Sequence, residues 1–176
     1  MSGKISVAKA LAFFSLVAFF SWLYTLPVQA RAETDLKGWG LGVILGEPTA
    51  LSAKYRLSPS NAYDFGFGYS WGHSVQLFSD YLFLYPGTFQ SSAKEHLMLV
   101  PYWGLGASLA FYASNHKKSI SNNDARFSLA VRIPLGVALP ISKSPIEVFA
   151  ELVPLVYFVP GIDLGLNGGL GLRFFF

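Results

Sequence analysis

The chain has 176 residues, enough for one domain plus a targeting segment. Hydrophobic residues make up 52% and charged residues 13%, about half of the ~25% charged share of soluble domains, so the chain is too apolar for an ordinary water-soluble fold. Residues 1–30 contain Lys4 and Lys9 and no acid, which lowers the formal +3 to +1 for the remainder and excludes nucleic acid as a partner.

In chain order, Lys4 and Lys9 form a basic region and Leu11 to Leu26 an apolar core. Small residues follow at Val28-Gln29-Ala30 and Ala30-Arg31-Ala32. This pattern predicts a secretory signal peptide over 1–30, cleaved after Ala30 or Ala32. The long apolar core leaves an uncleaved anchor helix as the alternative. A short lead, 31–38, precedes a single domain over 39–176. With no cysteine in the chain, an exported domain has no disulfide scaffold and depends on sheet closure and packing.

Beyond residue 38 there is no long apolar run. Eight extended segments are predicted instead, at 39–46, 50–57, 62–71, 75–85, 98–112, 127–139, 146–158 and 163–176. Most are near the ~9–11 residues of a tilted membrane strand, and the first two are short. Turn signals separate them at Gly46-Glu47-Pro48-Thr49, Ser58-Pro59-Ser60-Asn61, Gly72-His73-Ser74, Ile141-Ser142-Lys143-Ser144 and Pro160-Gly161. Two longer connections, 86–97 and 113–126, hold most of the polar loop residues.

Within the segments large apolar residues recur at every second position. Tyr63, Phe65, Phe67, Tyr69 and Trp71 oppose Asp64, Gly66, Gly68 and Ser70. Leu51, Ala53, Tyr55 and Leu57 oppose Ser52, Lys54 and Arg56. A period of two is the mark of a strand with one apolar and one polar face. The expected fold is therefore all-β: an eight-stranded antiparallel up-and-down transmembrane β-barrel, preceded by a cleavable signal peptide.

Alternation alone does not say which face meets lipid, because a soluble lipid-binding barrel also alternates. Composition decides. A water-facing surface carries many Lys, Glu, Asp and Thr, whereas this polar face is mostly Gly, Ala and Ser. The apolar face is too bulky to fill an eight-stranded interior. With the apolar face outward, Trp39, Tyr63, Trp71, Tyr85, Trp103, Tyr157 and Phe176 lie near segment ends, where interfacial girdles sit.

The inward face then holds Lys54, Arg56, Arg132 and Arg173 with Asp64, Asp80, Glu147 and Glu151, four charges of each sign. Unpaired ions in a narrow interior are costly, so a paired network is expected. Folding the second and third segments about Ser60 sets Arg56 opposite Asp64. Folding the sixth and seventh about Ser142-Lys143 sets Arg132 diagonal to Glu151. Gly40 and Gly42 are expected to face Arg56 and Lys54. A catalytic carboxylate pair or an ion pathway is one use of such a cluster. A plug that fixes a closed barrel is the simpler one, since eight strands enclose only enough space for side chains.

No catalytic, cofactor-binding or metal site is expected. His73, His96 and His116 fall in predicted loops without metal-ligand spacing. Gly72-His73-Ser74 is a weak match to the Ser and His of lipid A deacylase barrels and lacks a third partner. Gly38-x-Gly40-x-Gly42 and Gly165 to Gly171 alternate like strands and lack the spacing of nucleotide loops. The basic stretch Asn115-His116-Lys117-Lys118 makes the 113–126 loop a candidate contact for anionic headgroups or an external partner. Termini on the periplasmic side would put 113–126 outside and 86–97 in the periplasm.

The final segment carries Leu164, Leu166, Leu170, Leu172, Phe174 and Phe176 on one face. Its Gly171, Phe174 and Phe176 resemble the C-terminal signal read by the barrel-assembly machinery, with Gly169 at a position usually polar. The stretches Leu45 to Tyr55, Asp64 to Tyr69, Asp80-Tyr81-Leu82, Val131 to Gly136, Glu147 to Pro154 and Asn167 to Phe174 together resemble a family of small outer-membrane barrels. That family is known from spirochaetes and other diderm bacteria and is similar in fold to OmpA-type transmembrane domains. Ala50 and Ala53 stand where the pattern favours Gly. The resemblance covers nearly all of 39–176. It implies an eight-stranded barrel in the cell outer membrane and no established catalytic residues. The expectation is a non-enzymatic, pore-less barrel with a plugged polar lumen and a structural or surface-interaction role. Its expected partners are outer-membrane lipids and, during biogenesis, the assembly machinery. A lipid-modifying enzyme and a lipid-binding barrel are the alternatives.

Overall fold

The computed structural model describes residues 36, 38–71, 73–86, 89–90, 98–112, 127–141 and 144–176. Among them run ten strands: β1 (Gly38–Glu47), β2 (Thr49–Ser58), β3 (Asn61–Ser70), β4 (Ser74–Leu84), β5 (Phe89–Gln90), β6 (Met98–Tyr112), β7 (Phe127–Arg132), β8 (Leu135–Pro140), β9 (Ile146–Val159) and β10 (Asp163–Phe175). All pairings are antiparallel: β1 to β4 pair in sequence, β4 then pairs with β6, and β10 pairs with both β9 and β1, so the sheet returns on itself as a ring. β7 and β8 follow one another in line, both lying between β6 and β9. The two-residue β5 pairs only with the start of β6.

Several elements differ from expectation. The 127–139 segment is divided at Ile133-Pro134. Alternation continues through the break, yet Pro134 has no N–H to give the ladder. Its carbonyl still accepts from Gly104 N (2.8 Å), and Ile133 N still donates to Pro154 O (3.0 Å). The short β5 lies inside a connection that the sequence showed only as polar. The first two strands are also longer than expected, ten residues each.

Side chains alternate strictly between the two surfaces. In β4, Ser74, Gln76, Phe78, Asp80, Leu82 and Leu84 are buried, while Val75, Leu77 and Ser79 between them are exposed. Outside, large apolar residues cover strands all round the ring, among them Leu41, Leu51, Phe67, Leu105, Leu129, Leu152, Leu166 and Phe174. An aromatic chain runs round the outer surface near the termini. Trp39 packs on Tyr55 (4.9 Å), Tyr63 on Tyr81 (5.1 Å), Tyr81 on Phe83 (5.1 Å) and Phe83 on Trp103 (4.7 Å), and the Trp103 indole donates to the Tyr85 hydroxyl (3.0 Å).

The interior has three zones. Near the termini it is apolar, with Ala62, Leu82, Leu84, Val100, Ala138 and Phe175 buried together with Leu36 from the lead. The middle is ionic. The far end carries Ser70, Ser74, Gln76, Ser108, Ser128 and Asn167.

Candidate functional site: the charged interior

Alternation brings charges from six strands to one level. Lys54 of β2 stands opposite Asp64 of β3, and Asp64 opposite Asp80 of β4. Asp80 faces Gly106 of β6, and Gly106 faces Arg132 of β7. On the other side Arg173 of β10 pairs with Glu147 of β9. These six charged residues, with Arg56 and Glu151, make eight, and all are buried.

Glu147 is the hub. Its Oε1 accepts from Lys54 Nζ (2.8 Å) and from Arg173 Nη1 (3.4 Å), and its Oε2 accepts from Arg56 Nη2 (2.8 Å). Arg173 also donates through Nη2 to Asp64 Oδ2 (2.5 Å) and through Nε to Ser52 Oγ (2.8 Å). The Ser52 hydroxyl donates onward to Asp64 Oδ1 (3.3 Å). A separate pair joins Arg132 Nε to both oxygens of Asp80, at 3.1 and 3.2 Å. Among the described residues Glu151 makes no ion pair, and it accepts from the Tyr102 hydroxyl (3.1 Å).

Aromatic rings close over the cations. The Arg173 guanidinium lies 3.7 Å from the Phe149 ring centroid and that of Arg132 lies 3.9 Å from Phe78, distances at which ring quadrupole and cation attract. Each ring occupies space left by an inward glycine on the neighbouring strand. A Cβ on Gly171 would fall 2.1 Å from Phe149, and one on Gly66 would fall 2.0 Å from Phe78.

The partners differ from those read off simple hairpins. Arg56 stands opposite Ala62, and Lys54 takes the place beside Asp64. The turn centres between Pro59 and Ser60, with Ser58 opposite Asn61, and a bulge at Leu57 adds a second residue of shift from the symmetric fold about Ser60. Arg132 faces Leu155, with Glu151 opposite Gly136, so their diagonal contact is replaced by Arg132–Asp80 across β6. Gly40 faces Lys54 and Gly42 faces Ser52. Gly40 makes room for the Phe175 ring and Gly42 for the stem of Arg173. Ser52, Tyr102, Phe78 and Phe149 were not singled out by sequence. The available signal was an aromatic directly opposite a glycine on the inward face.

Arg132→Ala is expected to strand the buried Asp80 carboxylate at about 3–5 kcal/mol. A urea titration of the refolded protein should show it. Unchanged heat-modifiable migration together with a wild-type midpoint would sink the idea of a tight interior pair.

Other candidate residues scatter. Ser74 points inward and is 1% exposed, whereas His73 sits in the preceding turn with φ 59°. The two therefore do not present a joint nucleophile and base on the outer wall. Among the described residues no group of His, Cys, Asp and Glu could hold a metal ion. Of the C-terminal triplet, Gly171 is buried under Phe149, while Phe174 and Phe176 project outward. Tyr157 lies across inward Gly165. The signal segment 1–30, His96, and the 113–126 loop with His116, Lys117 and Lys118 lie outside the described residues.

The ring is similar to a solved structure, the crystal structure of the N-terminal β-barrel domain of Pseudomonas aeruginosa OprF. The TM-score is 0.54 at 16% identity, covering 78% of this chain and 95% of that one. At that identity the likeness is one of fold: an OmpA-like β-barrel. No curated protein matches the chain. Residues 30–173 match the family described as "Protein of unknown function (DUF3996)", and the chain belongs to that family.

Proposed function

We propose that this protein is an integral outer-membrane barrel of eight strands, counting β7 and β8 as one. The signal over 1–30 exports it, and the Gly171, Phe174 and Phe176 triplet addresses it to the barrel-assembly machinery. Its role is structural or surface-interacting, with no catalysis and no pore, and outer-membrane lipids are its standing partners. The 113–126 loop is its contact for an external partner.

The observation that carries this reading is the inversion of the usual protein interior. Leu45, Leu51, Leu152, Leu164, Leu166 and Leu170 are exposed on the outside, while Lys54, Arg132, Glu147 and Arg173 are fully buried within. A monomeric protein in water does not keep such a continuous apolar wall. In hydrocarbon the wall is solvated, and closing the ring satisfies every ladder. The apolar zone at the terminal end and the ion pairs above it fill the lumen of so small a barrel, which supports a plug over a channel.

The expected result is retention in the membrane pellet after alkaline carbonate, with faster gel migration before boiling than after. Release of the protein into the carbonate supernatant would overturn the reading.

A further inference from the structure

β7 is held unequally by its two neighbours. Its ladder with β6 is unbroken from Gly106–Arg132 to Phe111–Phe127. Its ladder with β9 runs only from Arg132–Leu155 to Leu129–Val159, and an extra β9 residue, Phe158, interrupts it above Ala130–Tyr157. Just below this seam, Pro154 O accepts from Ile133 N at 3.0 Å. Pro154 has no N–H to return, so Ile133 O loses its ladder donor. On the other side Pro134 O accepts from Gly104 N at 2.8 Å, and Gly104 O receives nothing back. The Ile133-Pro134 dipeptide therefore keeps one bond to each neighbouring strand where a regular ladder gives two. β8 below it pairs with β9 without a shift, from Leu135–Leu152 to Pro140–Glu147.

The side chains of β7 are tied in the same lopsided way. Ser128 Oγ lies 3.4 Å from the Tyr112 hydroxyl of β6, and Arg132 reaches past β6 to Asp80 of β4. Both ties run away from β9. The lumen behind the β7–β9 seam is polar and incompletely bonded. Among the described residues, Arg132 Nη1, Asn167 Nδ2 and Gln76 Oε1 are buried without a hydrogen-bond partner. Arg132 and Asn167 stand on β7 and β10, the strands on either side of β9, and Gln76 stands on β4, opposite β10 in the ring. Buried polar groups left unmet are costly, so the closed wall carries a penalty at this end.

We propose that β7 is a movable panel of the wall: it parts from β9, turns outward about Ile133-Pro134 while staying on β6, and opens the polar end of the lumen sideways to water and small polar solutes. The Arg132–Asp80 pair moves with the β4–β6 side and need not break. β8 stays paired to β9, and the charge cluster around Glu147, opposite Pro140 at the foot of β8, is left intact. Opening gives up a short, interrupted ladder and lets entering water reach the unmet polar groups. Losses and gains of similar size are what a two-state element needs.

Residue-resolved hydrogen exchange by NMR, on the protein extracted from membranes in mild detergent, tests it. Val131 and Val156 pair across the β7–β9 seam, and Leu135 and Leu152 across the β8–β9 seam below. The first two amides should exchange at a common rate, and faster than the second two. Pro154→Val returns a donor to Ile133 O from the outer face of the wall. It should slow Val131 and Val156 by about fivefold, the factor that one added hydrogen bond supplies, and leave Leu135 and Leu152 unchanged. Pro134→Ala, which returns a donor to Gly104 O, is the second hinge variant and should slow the same two amides. Val131 and Val156 as protected as Leu135 and Leu152 would overturn the proposal. So would exchange at the seam that neither folded proline variant slows, because fraying from the mouth does not depend on the hinge. Neither outcome bears on the membrane reading, which carbonate extraction decides.

Discussion

Glu147→Ala is expected to destabilise the barrel more than any other single removal of an interior charge, by at least about 3–5 kcal/mol. The wild-type carboxylate is bonded to Lys54, Arg56 and Arg173 at 2.8, 2.8 and 3.4 Å. All three cations are buried. Removing the carboxylate takes from Lys54, Arg56 and Arg173 the anion they share, while Arg173 keeps Asp64 and Ser52. The cost lies mostly in the buried positive charge that is no longer offset, because the intact cluster already offsets its own desolvation. Lys54→Met should therefore cost clearly less, since Glu147 keeps two cations. Glu147→Gln should fall between, retaining hydrogen bonds without the charge. Urea titration of protein refolded in detergent, followed by tryptophan fluorescence, orders the three. Equal midpoints for Glu147→Ala and Lys54→Met would remove Glu147 as the hub.

Gly42→Ala should be nearly as harmful although it adds one methyl. Gly42 of β1 faces Arg173 of β10 across the seam that closes the ring. A Cβ there would lie 2.0 Å from Leu172 O, 2.7 Å from Arg173 Cγ and 2.8 Å from Arg173 Cα. Two of those atoms are backbone, so relief requires the strands to part. Overpacking of this kind costs about 1–3 kcal/mol, and more where the backbone must shift. Here it also moves the guanidinium that binds Asp64 and Glu147. Gly161→Ala is the matched control, with nothing within 4 Å of its Cβ. Hydrogen exchange should rise in β1 and β10 for Gly42→Ala and stay unchanged for Gly161→Ala. Protection of the seam amides in Gly42→Ala would defeat the argument.

The strand character of this chain was legible because alternation is a local property, decided by each residue and its second neighbours. Which face a side chain occupies follows at once. The partner across a hairpin is a different matter, because it depends on how many residues the turn consumes. A turn centred between Pro59 and Ser60 and one extra residue at Leu57 together moved Arg56 away from Asp64 and set Lys54 there. Contacts across the lumen are further still from sequence. Asp64 meets Arg173 over a separation of 109 residues, and no hairpin rule reaches that far. The break at Pro134 was hidden for the opposite reason: the side-chain pattern continues through a point where the backbone cannot. The aromatic–glycine pairs were within reach, since Gly66 and Phe78 are direct neighbours on β3 and β4.

Lys54 and Arg56 on β2 meet Glu147 on β9, and Arg173 on β10 meets Asp64 on β3. Neither strand pair is adjacent in the ring. These bonds cannot form in an open sheet, where the same groups remain hydrated, and they come into being only after the last strand has found the first. Energy held in contacts absent from the folding transition state slows unfolding and leaves folding speed alone. The charges thus act as a latch on a finished barrel. They take no part in guiding its strands together, and they make the closed state slow to leave.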